Sequence, residues 1–440
     1  DGYTAGTSSR ASSQLNAAAG GNGWAWGSNV SSSPRFSAAA SWGRPWRLRT
    51  ASGRCRRYRP VPSENPVEEM ATLRLVKDAP VWRKMREKRA LFVFSFEMTA
   101  RCNNNCRHCY VNLPASDSRA LASELSLEEV DRISSEAVEL GAVWCTLTGG
   151  EPLLSRDFEE IYLLLKRKGL LVSVFSNATL IDESHVRLFK KYPPREFEVT
   201  VYGVTEKTYE TVTRRPGSFA DFQRGLDLLL SAGVPVSLKA MALRSNLHEH
   251  QAIAEFCRAR TRDYYRYDPM LHLRIDGDLM RNLDIVSERL TEKEIVQLER
   301  ADPERREVLD RNCDFFLPPG EVLGGCGHLF HCDAGQASFE LTHDGKFRLC
   351  PSLTAPETVF DLRRNSLKQA WTEFVPKVRA MTTESAEFLH QCRICGIRNL
   401  CFCCPAVAHL EKARLDAVVD YFCRVANARA KLLRGDPERP

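Results

Sequence analysis

Long hydrophobic runs are missing from this chain of 440 residues. None reaches the roughly 18 residues that a bilayer-spanning helix needs, so no membrane span is expected. A secretory hydrophobic segment is also lacking. The sixteen cysteines are therefore not read as the disulfide framework of a secreted protein. Their close grouping reads as metal ligation in a reducing, cytoplasmic setting. Internal repeats are absent, which excludes solenoids and propellers. Lysine is absent from residues 1–63, which hold nine arginines and one acid, Asp1. That stretch carries +8 of a chain whose net charge is +6, leaving the remainder at −2. The basic excess thus belongs to the extension, and no nucleic-acid surface is expected on the folded body.

Residues 1–69 are rich in Ser, Ala, Gly and Arg without an apolar period. Such composition buries too little surface to offset ordering entropy, so disorder is expected. The plainer reading is non-native sequence ahead of a start at Met70, preferred over an Arg- and Ser-rich targeting peptide.

From Leu91 the pattern changes. "LFVFSFEM" reads as a buried strand, and Ser126-x-x-Glu129 as a capping box opening a helix. "VWCTLT" (143–148), "LLVSVFS" (170–176), "EFEVTVY" (196–202) and "VPVSLKAMAL" (234–243) read as further strands separated by helices, with "MLHLRID" (270–276) as a sixth. The alternation predicts a parallel α/β sheet, a partial (β/α)6 barrel with its chemistry on loops at the strand C-termini. It stops near residue 310, where "ASFELTHDGKFRLCP" predicts a hairpin turning at Asp344-Gly345. A helix over 406–433 is expected to close the chain. The expected domains are 70–310 and 311–440, after the 1–69 extension.

Directly after the first strand comes "RCNNNCRHCY", with Cys102, Cys106 and Cys109. Three thiolates are one short of a closed iron–sulfur or structural zinc site. Two readings follow: a [4Fe–4S] cluster with one iron open to a small molecule, or a closed site with a distant fourth ligand. "TGGEPLL" (148–154) follows the second strand and "FSNAT" (175–179) the third, and "LRSN" ends at Asn246 after the fifth. All fall on the cysteine rim. The glycines allow close backbone approach to a ligand, Glu151 can bind an ammonium group, and Ser176 and Asn177 can hydrogen-bond.

These motifs, over about residues 90–280, resemble the radical S-adenosylmethionine (SAM) superfamily: CxxxCxxC with an adjacent aromatic, Tyr110, then GGEP, then SN-x-T. The resemblance implies that SAM chelates the open iron. It also implies that Gly149, Gly150 and Glu151 hold the SAM amino group, that Ser176 and Asn177 meet its carboxylate or ribose, and that Tyr110 lies near the adenine; Asn246 joins the set as a cofactor-binding candidate. One-electron reduction of the sulfonium would release a 5′-deoxyadenosyl radical that abstracts hydrogen from substrate. A flavodoxin or ferredoxin would donate the electron. "VTVYGVTEKTYETVTRRPGSF" (199–219) resembles a segment of peptide-modifying members, although Tyr202 itself reads as core.

The later cysteines run Cys332-x12-Gly345-x4-Cys350, then Cys392-x2-Cys395-x5-Cys401-x2-Cys404, then Cys423, with Cys326 six residues before Cys332. Zinc is the competing reading of the CxxC pairs. The pattern resembles the SPASM domain of radical SAM peptide maturases, which implies two auxiliary [4Fe–4S] clusters. By analogy Cys326, Cys332, Cys350 and Cys404 hold one, and Cys392, Cys395, Cys401 and Cys423 the other. Sulfatase-maturing members place an aspartate after the hairpin cysteine, where this chain has Pro351. Asp276 is then the candidate base by position. The leading expectation is modification of a ribosomally made peptide. The alternative is an enzyme of tetrapyrrole or quinone biosynthesis, and a third reading is a non-enzymatic iron–sulfur or zinc protein.

Overall fold

The computed structural model describes residues 87–261, 265–318 and 327–435. The expectations for residues 1–69 and for Cys326 lie outside them. Six strands form the parallel wall: β1 (Val93–Thr99), β2 (Trp144–Gly149), β3 (Leu171–Ser176), β4 (Glu196–Val201), β5 (Val236–Met241) and β6 (Arg266–Asp268). They pair in chain order, each parallel to the last. Helices α1 (Leu127–Glu139), α2 (Phe158–Arg167), α3 (Glu183–Lys191), α4 (Glu206–Thr213), α5 (Ser218–Ser231) and α6 (His250–Arg258) fill the crossovers. The expected capping box is present at α1, with Ser126 and Glu129 satisfying each other's backbone N–H. This is the expected partial barrel, followed by a small cysteine-rich region.

Helices α7 (Leu279–Glu288), α8 (Glu292–Ala301) and α9 (Pro303–Arg311) follow the barrel. The hairpin forms from β7 (Ser338–Leu341) and β8 (Lys346–Arg348), and β9 (Val359–Asp361) adds a strand beyond it. Gly345 takes the left-handed conformation at the turn, φ +78°. The hairpin does not stand apart: β7 pairs parallel with β1, giving one nine-stranded sheet, β9-β8-β7-β1-β2-β3-β4-β5-β6. An aromatic stack joins the two parts, with Phe94 on Phe339 at 5.4 Å and Phe339 on Phe347 at 5.0 Å.

Two expected elements differ. The sixth strand is Arg266–Asp268, whereas 270–276 lies outside the sheet, irregular as far as Arg274 and turning at Ile275 and Asp276. There, Ile275 N donates to Tyr110 O and Arg274 N to Asn282 Oδ1, so the segment bonds to the cysteine loop and α7 rather than to β5. The closing helix is two, α10 (Pro405–Lys412) and α11 (Asp420–Arg434). Ala413 turns left-handed at φ +55°, and the link buries Leu415 and Val419. Among the described residues no helix is long and apolar enough to cross a membrane.

The inner face of the wall is polar. Ser95, Glu97, Thr146, Thr148, Ser173, Glu198 and Lys239 are all buried, and the strand registers place the β1, β2 and β3 members side by side. Buried polar groups on this scale are costly in a sealed core and suit an interior that receives a ligand.

Candidate functional site

The cysteine loop leaves β1 at its C-terminal end and is closed by a short parallel ladder between Arg101–Cys102 and Leu113–Pro114. Inside it, Asn104 N approaches Cys102 Sγ at 3.4 Å and Asn112 N approaches Cys109 Sγ at 3.4 Å. The end of α4 anchors it from below: Asn105 N donates to Thr213 O at 2.8 Å and Arg107 N to Val212 O at 3.0 Å. Cys102 and Cys106 are buried. Burial pushes the Cys102 thiol well above its usual range, and Cys106, Glu151 and Cys109 add to this. Cys106 is pushed up to about 12 by burial and then by Cys109, against the Tyr202 hydroxyl and Arg281. Cys102 and Cys106 thus keep their protons unless a metal centre replaces them, with Cys109 close to both.

The GGEP turn is shaped by the loop itself. An added Cβ would sit 2.3 Å from Thr99 O at Gly149 and 2.2 Å from Arg101 O at Gly150. Gly150 N donates to Thr99 O at 2.8 Å, and Glu151 N to Arg101 O at 2.9 Å. The glycines thus let the second rim loop lie directly on the first. Gly150→Ala is expected to cost at least about 1–3 kcal/mol through overpacking against backbone, and to lower iron uptake by the cysteine loop. Thermal unfolding and iron content check this, and an unchanged pair of values would contradict it.

Glu151 is fully buried and accepts from Ser176 Oγ (2.8 Å), Asn177 N (2.8 Å) and Leu153 N (3.2 Å). Burial raises its carboxyl to about 7 against these donors. Asn177 Nδ2 reaches Cys102 Sγ at 3.8 Å and Asn103 Oδ1 at 2.9 Å. Cys102, Glu151, Ser176 and Asn177 therefore form one network. Tyr110 is buried beside His272, ring centroids 6.4 Å apart. Asn246 serves its own backbone, donating to Tyr202 O and Met241 O and accepting from Leu243 N. Asp276 is paired with Arg274 and accepts from Asp278 N, which holds its carboxyl below the usual range despite partial burial.

Several residues escaped the sequence reading. Tyr202 bonds Cys106 and lies between His108 (5.2 Å) and Tyr209 (5.6 Å). His108 is held neutral, its pKa lowered to about 3 by burial and then by Lys239 and Arg281. On the inner wall, Glu97 of β1 lies near Glu340 of β7 and Arg348 of β8. Burial pushes both carboxyls up, with Asp344 adding at Glu97 and Glu97 adding at Glu340, and neither Glu340 oxygen has a hydrogen-bond partner among the described residues. The signal was present: polar residues at alternate positions of "FSFEM" and "SFEL" mark one face of each strand.

The later cysteines gather as two groups. Burial raises Cys350, and Cys404 and Cys332 add to it; Cys404 is raised to about 11 by burial and Cys332. Cys392 is raised to about 11 by burial, Cys423 and Cys395, and Cys401 to about 12 by burial with the same set around it. Cys403 feels both groups, and Cys313 is disulfide-bonded. Among the described residues, no three His, Cys, Asp or Glu side chains converge as a single ion would require.

The rim of the open parallel barrel thus brings Cys102, Cys106 and Cys109 beside Glu151, Ser176 and Asn177. Residues 96–257 match the model described as the Radical SAM superfamily, so the chain is similar to that superfamily over this stretch. It is 22% identical over 339 residues to the AdoMet-dependent heme synthase of Methanosarcina barkeri, spanning 72% of this chain and 92% of that one. It is 26% identical over 258 residues to the subtilosin biosynthesis protein AlbA of Bacillus subtilis, spanning 58% of this chain and 54% of AlbA. In fold it is similar to Streptococcus suis SuiB bound to the precursor peptide SuiA, with a TM-score of 0.57, 14% identity and 82% of each chain covered.

Proposed function

We propose that this protein is a radical SAM enzyme and that it modifies a ribosomally made peptide. Cys102, Cys106 and Cys109 hold the [4Fe–4S] cluster, which with SAM supplies one-electron cleavage of the sulfonium and hydrogen-atom abstraction. The crowded thiols and the network running from Cys102 through Asn177 to Glu151 support this fit. Gly149, Gly150 and Glu151 would present the second rim loop to SAM, with Ser176 and Asn177 on the third and Tyr110 closing one side. Cys332, Cys350 and Cys404, with Cys326, would hold one auxiliary cluster, and Cys392, Cys395, Cys401 and Cys423 the other. The two groupings of mutually repelling thiols support that division. We assign residues 70–310 to the catalytic half and 311–440 to the auxiliary half. A reducing cytoplasm and a flavodoxin- or ferredoxin-like donor suit such thiols.

The observation that carries the peptide reading is the inner wall. Burial favours the neutral, protonated form of Glu97 and Glu340, and a protonated carboxyl can both donate to and accept from the amide groups that a peptide brings. Likeness in fold to a peptide-bound structure is in line with it. The second reading, tetrapyrrole or other cofactor chemistry, draws on the similarity to heme synthases. Anaerobic turnover separates them by mass spectrometry: a changed mass on a short Cys- or Lys-rich precursor peptide supports the first, and loss of carboxyl groups from an iron-porphyrin the second. Reconstituted wild type should bind about twelve irons, four per cluster. Cys423→Ser should lose about four of them while keeping SAM cleavage, and an unchanged iron count would refute that ligand's assignment.

A further inference from the structure

The segment that failed to become a strand, 270–276, and the first turn of α7 bring two guanidinium groups onto the cysteine loop. Arg274 is 3% exposed. Its Nη1 donates to Cys109 O at 3.4 Å, Asn112 O at 3.2 Å and Asn112 Oδ1 at 3.2 Å. Arg281 Nη2 donates to Cys106 O at 3.2 Å and to the same Asn112 Oδ1 at 3.0 Å. The backbone of two of the three cysteines is thus capped by cations. Arg281 Nε is buried and has no acceptor. A buried N–H donor left without a partner beside Cys106 is a group awaiting an acceptor that the polypeptide does not supply.

The two arginines are themselves held. Asp276 grips Arg274 through both carboxylate oxygens, with Arg274 Nε to Asp276 Oδ1 at 2.8 Å. Asp278 caps α7 by accepting from Arg281 N at 3.0 Å. On the outer side of the loop, Arg107 pairs with Glu288 and Arg214 with Asp284, so those charges are already balanced. Among the described residues no carboxylate pairs with Arg281 at contact distance, and its guanidinium lies by Cys106.

We propose that Arg274 and Arg281 form a positioning clamp that sets the reduction potential of the cluster held by Cys102, Cys106 and Cys109. The proposal rests on the cluster reading of that loop and goes beyond it. Reduction adds one negative charge to the cluster. A fixed positive charge in a poorly hydrated shell favours the reduced form, as do hydrogen bonds to the sulfur atoms. Asp276 opposes this by screening Arg274. It is therefore a positioning residue of the clamp and not a base that touches substrate.

Redox titration followed by EPR tests this on the full, anaerobically reconstituted chain. The loop cluster's signal is the one lost in Cys106→Ala. In Arg281→Gln the reduced-to-oxidised ratio at the wild-type midpoint should fall about tenfold, which is 59 mV for one electron. Arg274→Gln should shift in the same direction, and Arg281→Lys should recover most of the loss. Asp276→Asn, at an exposed position that tolerates change, should shift the ratio the opposite way, because it releases Arg274 from its counter-charge. Signals from the other clusters should stay in place. An unmoved midpoint in Arg281→Gln and Asp276→Asn, with the loop signal intact, overturns the clamp. If no signal in wild type depends on Cys106, the cluster reading itself fails, which is a separate result.

Discussion

Cys106→Ala is expected to reduce reductant-dependent 5′-deoxyadenosine formation from SAM by about a thousandfold or more, because the cofactor and not the polypeptide carries the cleavage. Cys106 is the middle cysteine of the loop, buried, with Cys109 and Tyr202 beside it. Alanine leaves two thiols for four irons, a set that holds no cubane. The fold should survive, since the loop is fastened independently by Asn105 and Arg107 to the end of α4. Circular dichroism should therefore be unchanged while about four irons per chain are lost. Deoxyadenosine production that persists in this variant would refute the assignment of the loop.

Glu299→Ala carries the second large effect, on stability. Glu299 is fully buried in α8 and accepts from Arg429 Nη2 at 2.8 Å and Nε at 2.9 Å, and from Arg305 Nη2 at 3.2 Å. Arg429 lies in α11 and also donates to Leu400 O at 3.4 Å. The triad thus ties α8 and α9 to the helix that carries Cys423. Removing the carboxylate leaves buried guanidinium groups uncompensated, at a cost of about 3–5 kcal/mol. Against a typical total of about 5–15 kcal/mol, that is a large share. Burial alone would raise the Glu299 pKa, but Arg429 and Arg305 outweigh it and hold it below the usual carboxylate range. A depressed folded pKa means that the contribution is present above the unfolded value, near 4.5, and is lost as pH falls through the folded one. Urea unfolding at pH 7 measures the difference, and a loss under about 1 kcal/mol would show the triad to be dispensable.

The periodicity of residues 91–243 was enough to predict five strands in order, because a strand buried on both faces must be apolar over a short run and helices between such strands force parallel pairing. The sixth was misplaced. "MLHLRID" has a strand's composition, yet its backbone donors go to the Tyr110 carbonyl and the Asn282 side chain, partners no local pattern reveals. The break between α10 and α11 was hidden for a similar reason: the buried link through Leu415 and Val419 keeps helix-like hydrophobicity.

The candidate site divides the same way. Cysteine spacing, GGEP and SNAT were legible as motifs, since each is a contiguous run at a strand end. What the glycines do was not, because only the folded chain shows the Thr99 and Arg101 carbonyls lying against them. Nor could spacing reveal that Asp276 is held by Arg274, that Asn246 is spent on backbone, or that Glu340 joins Glu97 across the β1–β7 pairing. By itself the sequence determined the residue types, their order along the rim and the number of thiols, all properties of local runs. Tertiary structure alone decided which charges face one another. Contact between residues 97 and 340, or 106 and 281, comes from closing the sheet and docking α7, and the energy of a buried charge depends on neighbours distant in the chain.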